Sequence, residues 1–128
     1  MNKVIIIGGD HYNALGLARV FGVNGVKPYG LLISYSKHKR DNFCYASKYW
    51  KQTWFAFDEV EALQILMKEF SGETEKPVLV PSSDGAAIAI DERGAELDKY
   101  FLLPGFRSEY GKVARLMNKY TQYEWAVQ

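Results

Sequence analysis

Two short polar stretches contain the residues of this chain that could do chemistry. The first is Gly8-Gly9-Asp10, with Asn13 close behind, and it follows an apolar run at 4–7. The second is Ser82-Ser83-Asp84, which follows another apolar run at 77–81. Glycine allows a close approach of the backbone to a ligand, and Ser, Asp and Asn side chains form hydrogen bonds. If both runs are parallel strands, their carboxyl ends share one edge of a sheet, so the two stretches are candidates for one ligand-binding cleft.

The glycines of the first stretch do not form a dinucleotide-binding fingerprint. Gly8, Gly9 and Gly16 depart from the spacing G-x-G-x-x-G. The next predicted strand ends at Ser34 and not at the acidic residue that holds the ribose of NAD. Serines followed by basic residues at 37–40 suit the 2′-phosphate of NADP instead. A free-standing nucleotide-binding domain of the NADP type, or a regulatory domain, therefore remains an alternative.

Other kinds of site find less support in the sequence. A phosphoacceptor receiver domain needs a pair of acids after its first strand, and only Asp10 stands there. His11 and His38 have no second ligand at metal-binding spacing, so we expect no metal site in this chain. Cys44 has no recognisable base partner and is predicted to be a core thiol. The sequence therefore predicts no catalytic residue within these 128 residues.

The elements that must position the two polar stretches follow from hydrophobic patterning. Apolar runs bounded by Gly or Pro predict strands at 4–7, 28–34, 77–81 and 100–103. Helical spacing predicts helices at 14–23, from Asp58 to a stop at Gly72, at 86–91, at 108–117 and from Thr121 onward. Asn13 and Asp58 are the predicted N-caps. Val60, Leu63, Met67 and Phe70 are the predicted buried stripe of the second helix. We therefore expect an α/β, three-layer, Rossmann-like domain with a mostly parallel sheet of about four strands.

Residues 43–57 contain seven aromatic side chains, and basic residues lie among them. Such a segment can stack on the bases of a single-stranded nucleic acid. It can also pack on the sheet or against another domain, and in a purely structural protein it would be the contact face. The packing interpretation is favoured because the 16 basic and 15 acidic residues nearly balance. We therefore expect no nucleic-acid partner.

Composition predicts a single soluble domain in a reducing compartment. The 128 residues are 48% hydrophobic and 24% charged, which is ordinary for a globular protein. A single cysteine cannot form an internal disulfide, and no apolar run is long enough to span a membrane. We therefore expect a cytoplasmic protein without a membrane partner.

Four segments follow one another along the chain: Val4-Ile-Ile-Ile-Gly-Gly9, Ser47-Lys-Tyr49, Lys76-Pro-Val-Leu-Val-Pro-Ser-Ser-Asp84 and Leu116-Met-Asn-Lys-Tyr120. In this order they resemble the N-terminal (pre-ATP-grasp) domain of ATP-grasp carboxylate–amine ligases and carbamoyl-phosphate-synthase-like proteins. The last is similar to a junction in which the family usually has aspartate where this chain has Asn118. The resemblance covers almost the whole chain.

The resemblance implies a ligase that activates a carboxylate with ATP as an acylphosphate, which an amine then attacks. Residues 1–117 would be the pre-ATP-grasp domain, and 118–128 would begin the linker or helix into a downstream ATP-grasp domain. Both polar stretches would face the substrate cleft, and Lys119 would approach the nucleotide. ATP and Mg²⁺ would be cofactors of the full-length protein, with a small carboxylate, a small amine and the downstream domain as partners. The fragment alone is expected neither to bind these cofactors tightly nor to catalyse the reaction.

Overall fold

The computed structural model describes residues 2–10, 12–34 and 48–103 of the chain. Within these ranges the strands are β1 (Val4–Gly9), β2 (Tyr29–Ile33), β3 (Gln52–Ala56) and β4 (Val78–Pro81). The helices are α1 (Tyr12–Val23), α2 (Glu59–Phe70), α3 (Asp84–Glu92) and α4 (Gly94–Leu97). The loop predicted at 36–40 and the helices predicted at 108–117 and after Thr121 lie outside the described residues.

The four strands form one parallel sheet in the order β3-β2-β1-β4. Ile7 illustrates the central place of β1, because it pairs with Leu31 of β2 on one side and with Pro81 of β4 on the other. A central strand of a parallel sheet is covered on both faces, which explains the unbroken apolar run at 4–7. The predicted α/β class with a parallel sheet of about four strands is confirmed.

Helices cover both faces of the sheet and make three layers. On one face, Ile6 packs in a cluster with Ala14 and Ala18 of α1. On the other face, Ile5 and Ile7 pack in a cluster with residues of α2, α3 and α4. Alternate side chains of a strand point to opposite faces, so β1 contributes to both clusters.

Helix α1 differs from the prediction at its start and agrees with it at its end. Gly8 and Gly9 continue β1, and the helix begins at Tyr12, so Asn13 lies in the first helical turn and is not the N-cap. At the other end, Gly25 has a φ of 83°, and the amide of Val26 donates to the carbonyl of Phe21 at 2.9 Å. This left-handed turn confirms the predicted stop.

Helix α2 begins as predicted and buries part of the predicted stripe, since Leu63 and Phe70 are buried and Met67 is partly buried. The carboxylate of Asp58 accepts a hydrogen bond from the amide of Glu61 at 2.8 Å and caps the helix. Val60 is 51% exposed, because the contact with the sheet selects the face that carries other residues. The buried residues of the helix are Ala62, Leu63, Leu66 and Phe70. Ser71 is the C-cap, so Gly72 lies at C′, immediately beyond the helix, where the stop was predicted, although its φ is not positive.

Strand β3 was not predicted as a strand. Its residues belong to the aromatic segment 43–57, of which 43–47 lie outside the described residues. Trp50 and Phe55 are buried on the α1 face of the sheet, while Trp54 contacts Phe70 on the opposite face with ring centroids 5.4 Å apart. The described part of this segment therefore builds the sheet and both clusters.

The strand predicted at 100–103 makes only an isolated parallel bridge to β4. The amide of Leu79 donates to the carbonyl of Leu102 at 3.0 Å, and the amide of Leu102 donates to the carbonyl of Pro77 at 2.9 Å. Before this bridge, the chain forms the short helix α4, which had no sequence prediction. The segment borders the sheet without adding a full strand.

Candidate functional site

The sheet order creates a switch point between β1 and β4. Helix α1 follows β1 and packs on one face of the sheet, whereas α3 follows β4 and packs on the other. The two chain segments therefore leave neighbouring strands in opposite directions, and this topology predicts a crevice at the carboxyl ends of these strands. In open α/β sheets, ligands bind in such a crevice.

Gly8 and Ser82 form the side of this crevice nearest to the sheet, in direct contact with each other. The amide of Ser82 donates to the carbonyl of Ile7 at 2.8 Å, and its buried hydroxyl donates to the same carbonyl at 3.4 Å. A Cβ placed on Gly8 would overlap Ser82 Oγ and lie 3.1 Å from Ser82 Cβ. Gly8 is therefore needed for the close approach of β4, and the Ser82 hydroxyl points into the sheet.

Gly9, Asp10 and Asn13 lie on the α1 side of the crevice. Gly9 is the last residue of β1 and pairs with Ile33. The amide of Asp10 donates to the carbonyl of Ile33 at 3.1 Å, which extends the strand pairing by one residue. Asp10 is half-buried just beyond the strand, and Asn13 is exposed in the first turn of α1. Both side chains stand at the same sheet edge as the second polar stretch.

Ser83 and Asp84 lie on the α3 side of the crevice and begin that helix. Ser83 is the N-cap, and its Oγ accepts a hydrogen bond from the amide of Ala86 at 3.3 Å. Asp84 is exposed in the first turn, where its negative charge complements the positive end of the helix. Capping therefore accounts for Ser83, and the exposed Asp84 carboxylate remains accessible to a ligand.

The structure adds one residue that sequence reasoning missed. Glu59, in the first turn of α2, has a half-buried side chain whose Oε1 would lie 2.5 Å from a Cβ placed on Gly85. The first turns of α2 and α3 therefore touch at this edge, and the glycine makes room for the carboxylate. An acidic residue at a helix start is so common that the sequence carried no signal for this contact.

The charged side chains that the structure describes at the carboxyl edge of the sheet are acidic. Asp10, Asp84 and Glu59 stand at the strand ends or in the first turns of the following helices. No lysine or arginine of the described ranges occupies such a position. Within those ranges there is also no group of three or more His, Cys, Asp or Glu residues that could hold a metal ion. These residues alone do not fit the triphosphate of ATP, whereas they suit a cationic or hydroxyl-bearing group.

Gly16, whose spacing already departs from the dinucleotide fingerprint, also lacks the close packing of a fingerprint glycine. Gly16 is exposed on α1, and a Cβ placed on it would meet no atom within 4 Å. The third glycine of the fingerprint allows close packing of helix and strand, which Gly16 does not do. The basic residues at 37–40, His11, His38, Cys44 and Lys119 lie outside the described residues.

No helix in the described part of the chain combines the length and the apolar character needed to cross a bilayer. Comparison with models of known protein families gave no match. A search of curated proteins likewise found none that matches this chain.

Proposed function

We propose that residues 1–117 form the N-terminal, substrate-side domain of a cytoplasmic ATP-dependent carboxylate–amine ligase. The observation that carries the proposal is the placement of two segments that resemble this family. They are residues 4–9 and 76–84, which contain the adjacent parallel strands β1 and β4 and reach the two sides of the switch-point crevice. Two resembling segments, far apart in sequence, thus meet where a ligand is expected.

The reaction proposed for the full-length protein has two steps. An oxygen of the substrate carboxylate attacks the γ-phosphorus of ATP, which forms an acylphosphate and releases ADP. The amine then attacks the acyl carbon, forms the amide bond, and releases inorganic phosphate and a proton. Mg²⁺ neutralises the phosphate charges in such chemistry.

The acidic crevice fits the amine substrate better than the other reactants. Asp10 and Asp84 would attract an ammonium group to this edge, and Glu59 adds negative charge beside α3. The phosphates of ATP and the carboxylate need cations, which the proposal assigns to the downstream domain and, at the nucleotide, to Lys119. Ser82 and Gly8 keep the two strand ends together and position this wall of the cleft.

The first test is the reading frame beyond Gln128, followed by assays of the full-length protein. We expect a further domain that contains a glycine-rich loop, lysines spaced along its sequence, and Glu or Asn metal ligands toward its C-terminal end. With a cognate pair of substrates, ¹⁸O from the labelled carboxylate should appear in the released phosphate, as an acylphosphate requires. A stop codon soon after residue 128, or ADP release without ¹⁸O transfer, would overturn the proposal.

Variants of the crevice test the assignment of the amine. Asp10→Asn and Asp84→Asn should each raise the KM for the amine by about fivefold, with the KM for ATP unchanged, because each removes one charge that attracts the ammonium group. Glu92→Gln is the matched control, since Glu92 is an exposed acid at the opposite end of α3. Equal effects of all three changes on the amine KM would contradict this arrangement.

A nucleotide-binding domain of the NADP type is the second candidate, and the sheet order favours it. The order β3-β2-β1-β4 is that of the first strands in the dinucleotide-binding fold. Two observations argue against a dinucleotide site. Gly8 packs against Ser82, and Gly16 lies in an open position. Tight binding of NADP by this chain, lost in Lys37→Glu or Arg40→Glu, would favour this candidate over the ligase.

A further inference from the structure

The amino edge of the sheet, opposite the crevice, carries a cavity lined by lysines. Its volume is about 180 Å³, and Lys3, Lys27 and Lys51 line it together with Tyr29. Lys3 and Lys51 directly precede β1 and β3, and Lys27 comes just before β2 in the sequence. Because β2 lies between β1 and β3, with about 4.8 Å between neighbouring strands, the parallel pairing brings the three lysine positions to the same edge of the sheet.

Only one of these lysines has a carboxylate partner within the described ranges. Lys3 Nζ forms an ion pair with Glu73 at 2.5 Å and lies 5.6 Å from the centroid of the Tyr29 ring. Lys27 and Lys51 are exposed and form no ion pair with any described residue. The described lining includes no Asp or Glu. Like charges side by side repel each other, so an anion in this cavity would relieve the repulsion.

The backbone holds the lysines in place independently of any ligand. The left-handed turn at Gly25 ends α1 and leads directly into Val26 and Lys27, and Gly25 and Val26 also line the cavity. The amide of Lys51 donates to the carbonyl of Pro28 at 2.8 Å, which ties the start of β3 to the start of β2. The lysine stems therefore start from ordered positions around the cavity.

We propose that this cavity binds a small phosphate-bearing anion, with Lys27 and Lys51 as its charged ligands. The volume corresponds to roughly six water molecules at about 30 Å³ each, which suits a phosphate monoester or a pyrophosphate group rather than a large ligand. A phosphate carries a charge of about −2 near neutral pH, which matches the two lysines that have no carboxylate partner among the described residues. Lysine binds phosphate as a point charge and needs no forked geometry. This site is separate from the crevice at the carboxyl edge and does not rest on the ligase proposal.

Titration of the chain with inorganic pyrophosphate, followed by backbone amide NMR, tests the proposal. We expect saturable shifts confined to the lining residues 2–4, 25–27, 29 and 51, and weaker binding when ionic strength rises from about 0.01 M to about 0.15 M. The double variant Lys27→Gln/Lys51→Gln should weaken binding by about tenfold. Lys68→Gln is the control, because Lys68 is an exposed lysine on α2 that does not line the cavity.

Three results would overturn the proposal. They are shifts that do not saturate, equal weakening in the control and the double variant, and tighter binding of the dicarboxylate malonate than of pyrophosphate. Exposed lysines also complement the negative ends of helices. If that were their only role, pyrophosphate would cause shifts that do not saturate. The amide spectrum of each variant shows directly whether it is folded, so a loss of affinity can be assigned to the missing charges.

Discussion

At the scale of single residues, the carboxyl edge of the sheet depends on the contact between Gly8 and Ser82. The sequence placed both residues after apolar strands, and that much of the candidate site could be predicted. The direction of the Ser82 hydroxyl could not, because it depends on the pairing of β1 with a strand about seventy residues later. The contact between Glu59 and Gly85 escaped prediction for the same reason, since it joins two helices that approach only after the sheet has formed.

Gly8→Ala should destabilise the fold by about 1–3 kcal/mol, because the added Cβ would overlap Ser82 Oγ and force β1 and β4 apart. Urea unfolding followed by circular dichroism measures the change. Adding Ser82→Ala should recover part of the loss, since it removes the overlapping oxygen and leaves only the Cβ contact. Gly16→Ala is the control and should stabilise the protein by up to about 1 kcal/mol, because that position is helical and open. A neutral Gly8→Ala would contradict the close contact.

The ion pair between Lys3 and Glu73 predicts a dependence on alkaline pH. The hydrogen bond to Glu73 raises the pKa of Lys3 above its ordinary value of 10.5. The folded state thus keeps this proton more tightly, so the stabilisation is fully present below pH 10.5 and is lost as the pH rises through the folded-state pKa. Both side chains are partly exposed, with 42% and 29% of their surface accessible, so the gain should stay below about 1 kcal/mol.

NMR titration of the Lys3 side chain measures this effect directly. Glu73→Gln should lower the pKa of Lys3 toward its ordinary value, because the charged hydrogen-bond acceptor is removed. Glu69→Gln changes an exposed acid on α2 and should leave the titration of Lys3 as it is. If both variants gave the same Lys3 titration as the unchanged protein, the ion pair would not be formed in solution.

At the scale of elements, three of the four strands could be predicted because each is an apolar run bounded by glycine or proline. Strand β3 is not bounded by glycine or proline, and it begins with the exposed Gln52. Its aromatic residues continue a longer aromatic segment, and its strand character comes from pairing with Tyr29–Ile33, more than twenty residues earlier. Long-range pairing of this kind leaves no local signal, which is also why the bridge at Leu102 was predicted as a full strand.

Helix α2 should depend on its cap more strongly than α3 does. Asp58→Ala removes a 2.8 Å hydrogen bond and a negative charge at the helix start, so it should cost about 1 kcal/mol. Ser83→Ala removes a longer bond of 3.3 Å between uncharged groups and should cost less. The urea midpoint of each variant measures the difference, provided that the dependence of the unfolding free energy on urea concentration is the same in all variants. Asp58→Asn retains a capping oxygen and should behave nearly as the unchanged protein, whereas a larger cost for Ser83→Ala would reverse the expected order.

At the scale of the whole molecule, the described charged residues nearest to the strand ends differ between the two edges of the sheet, although Glu73 offsets the charge of Lys3. Asp10, Asp84 and Glu59 stand at the carboxyl edge, whereas Lys3, Lys27 and Lys51 stand at the amino edge. In a parallel α/β sheet, helices begin at the carboxyl edge and end near the amino edge, so this division also matches the polarity of the helix dipoles. This division underlies both the amine assignment and the proposed phosphate site.

Phe101, near the end of the described ranges, completes the hydrophobic cluster between the sheet and helices α2 and α3. Phe101 is fully buried among residues that include Leu66 and Leu79, although its backbone joins β4 only through the bridge at Leu102. Phe101→Ala should therefore destabilise the protein by about 3–5 kcal/mol, because it leaves a cavity in the core. Calorimetric unfolding measures this loss against Tyr100→Ala, which removes an exposed neighbouring ring and should change stability by less than about 0.5 kcal/mol. A loss for Phe101→Ala as small as that expected for Tyr100→Ala would show that residues 98–103 do not pack on the sheet in solution.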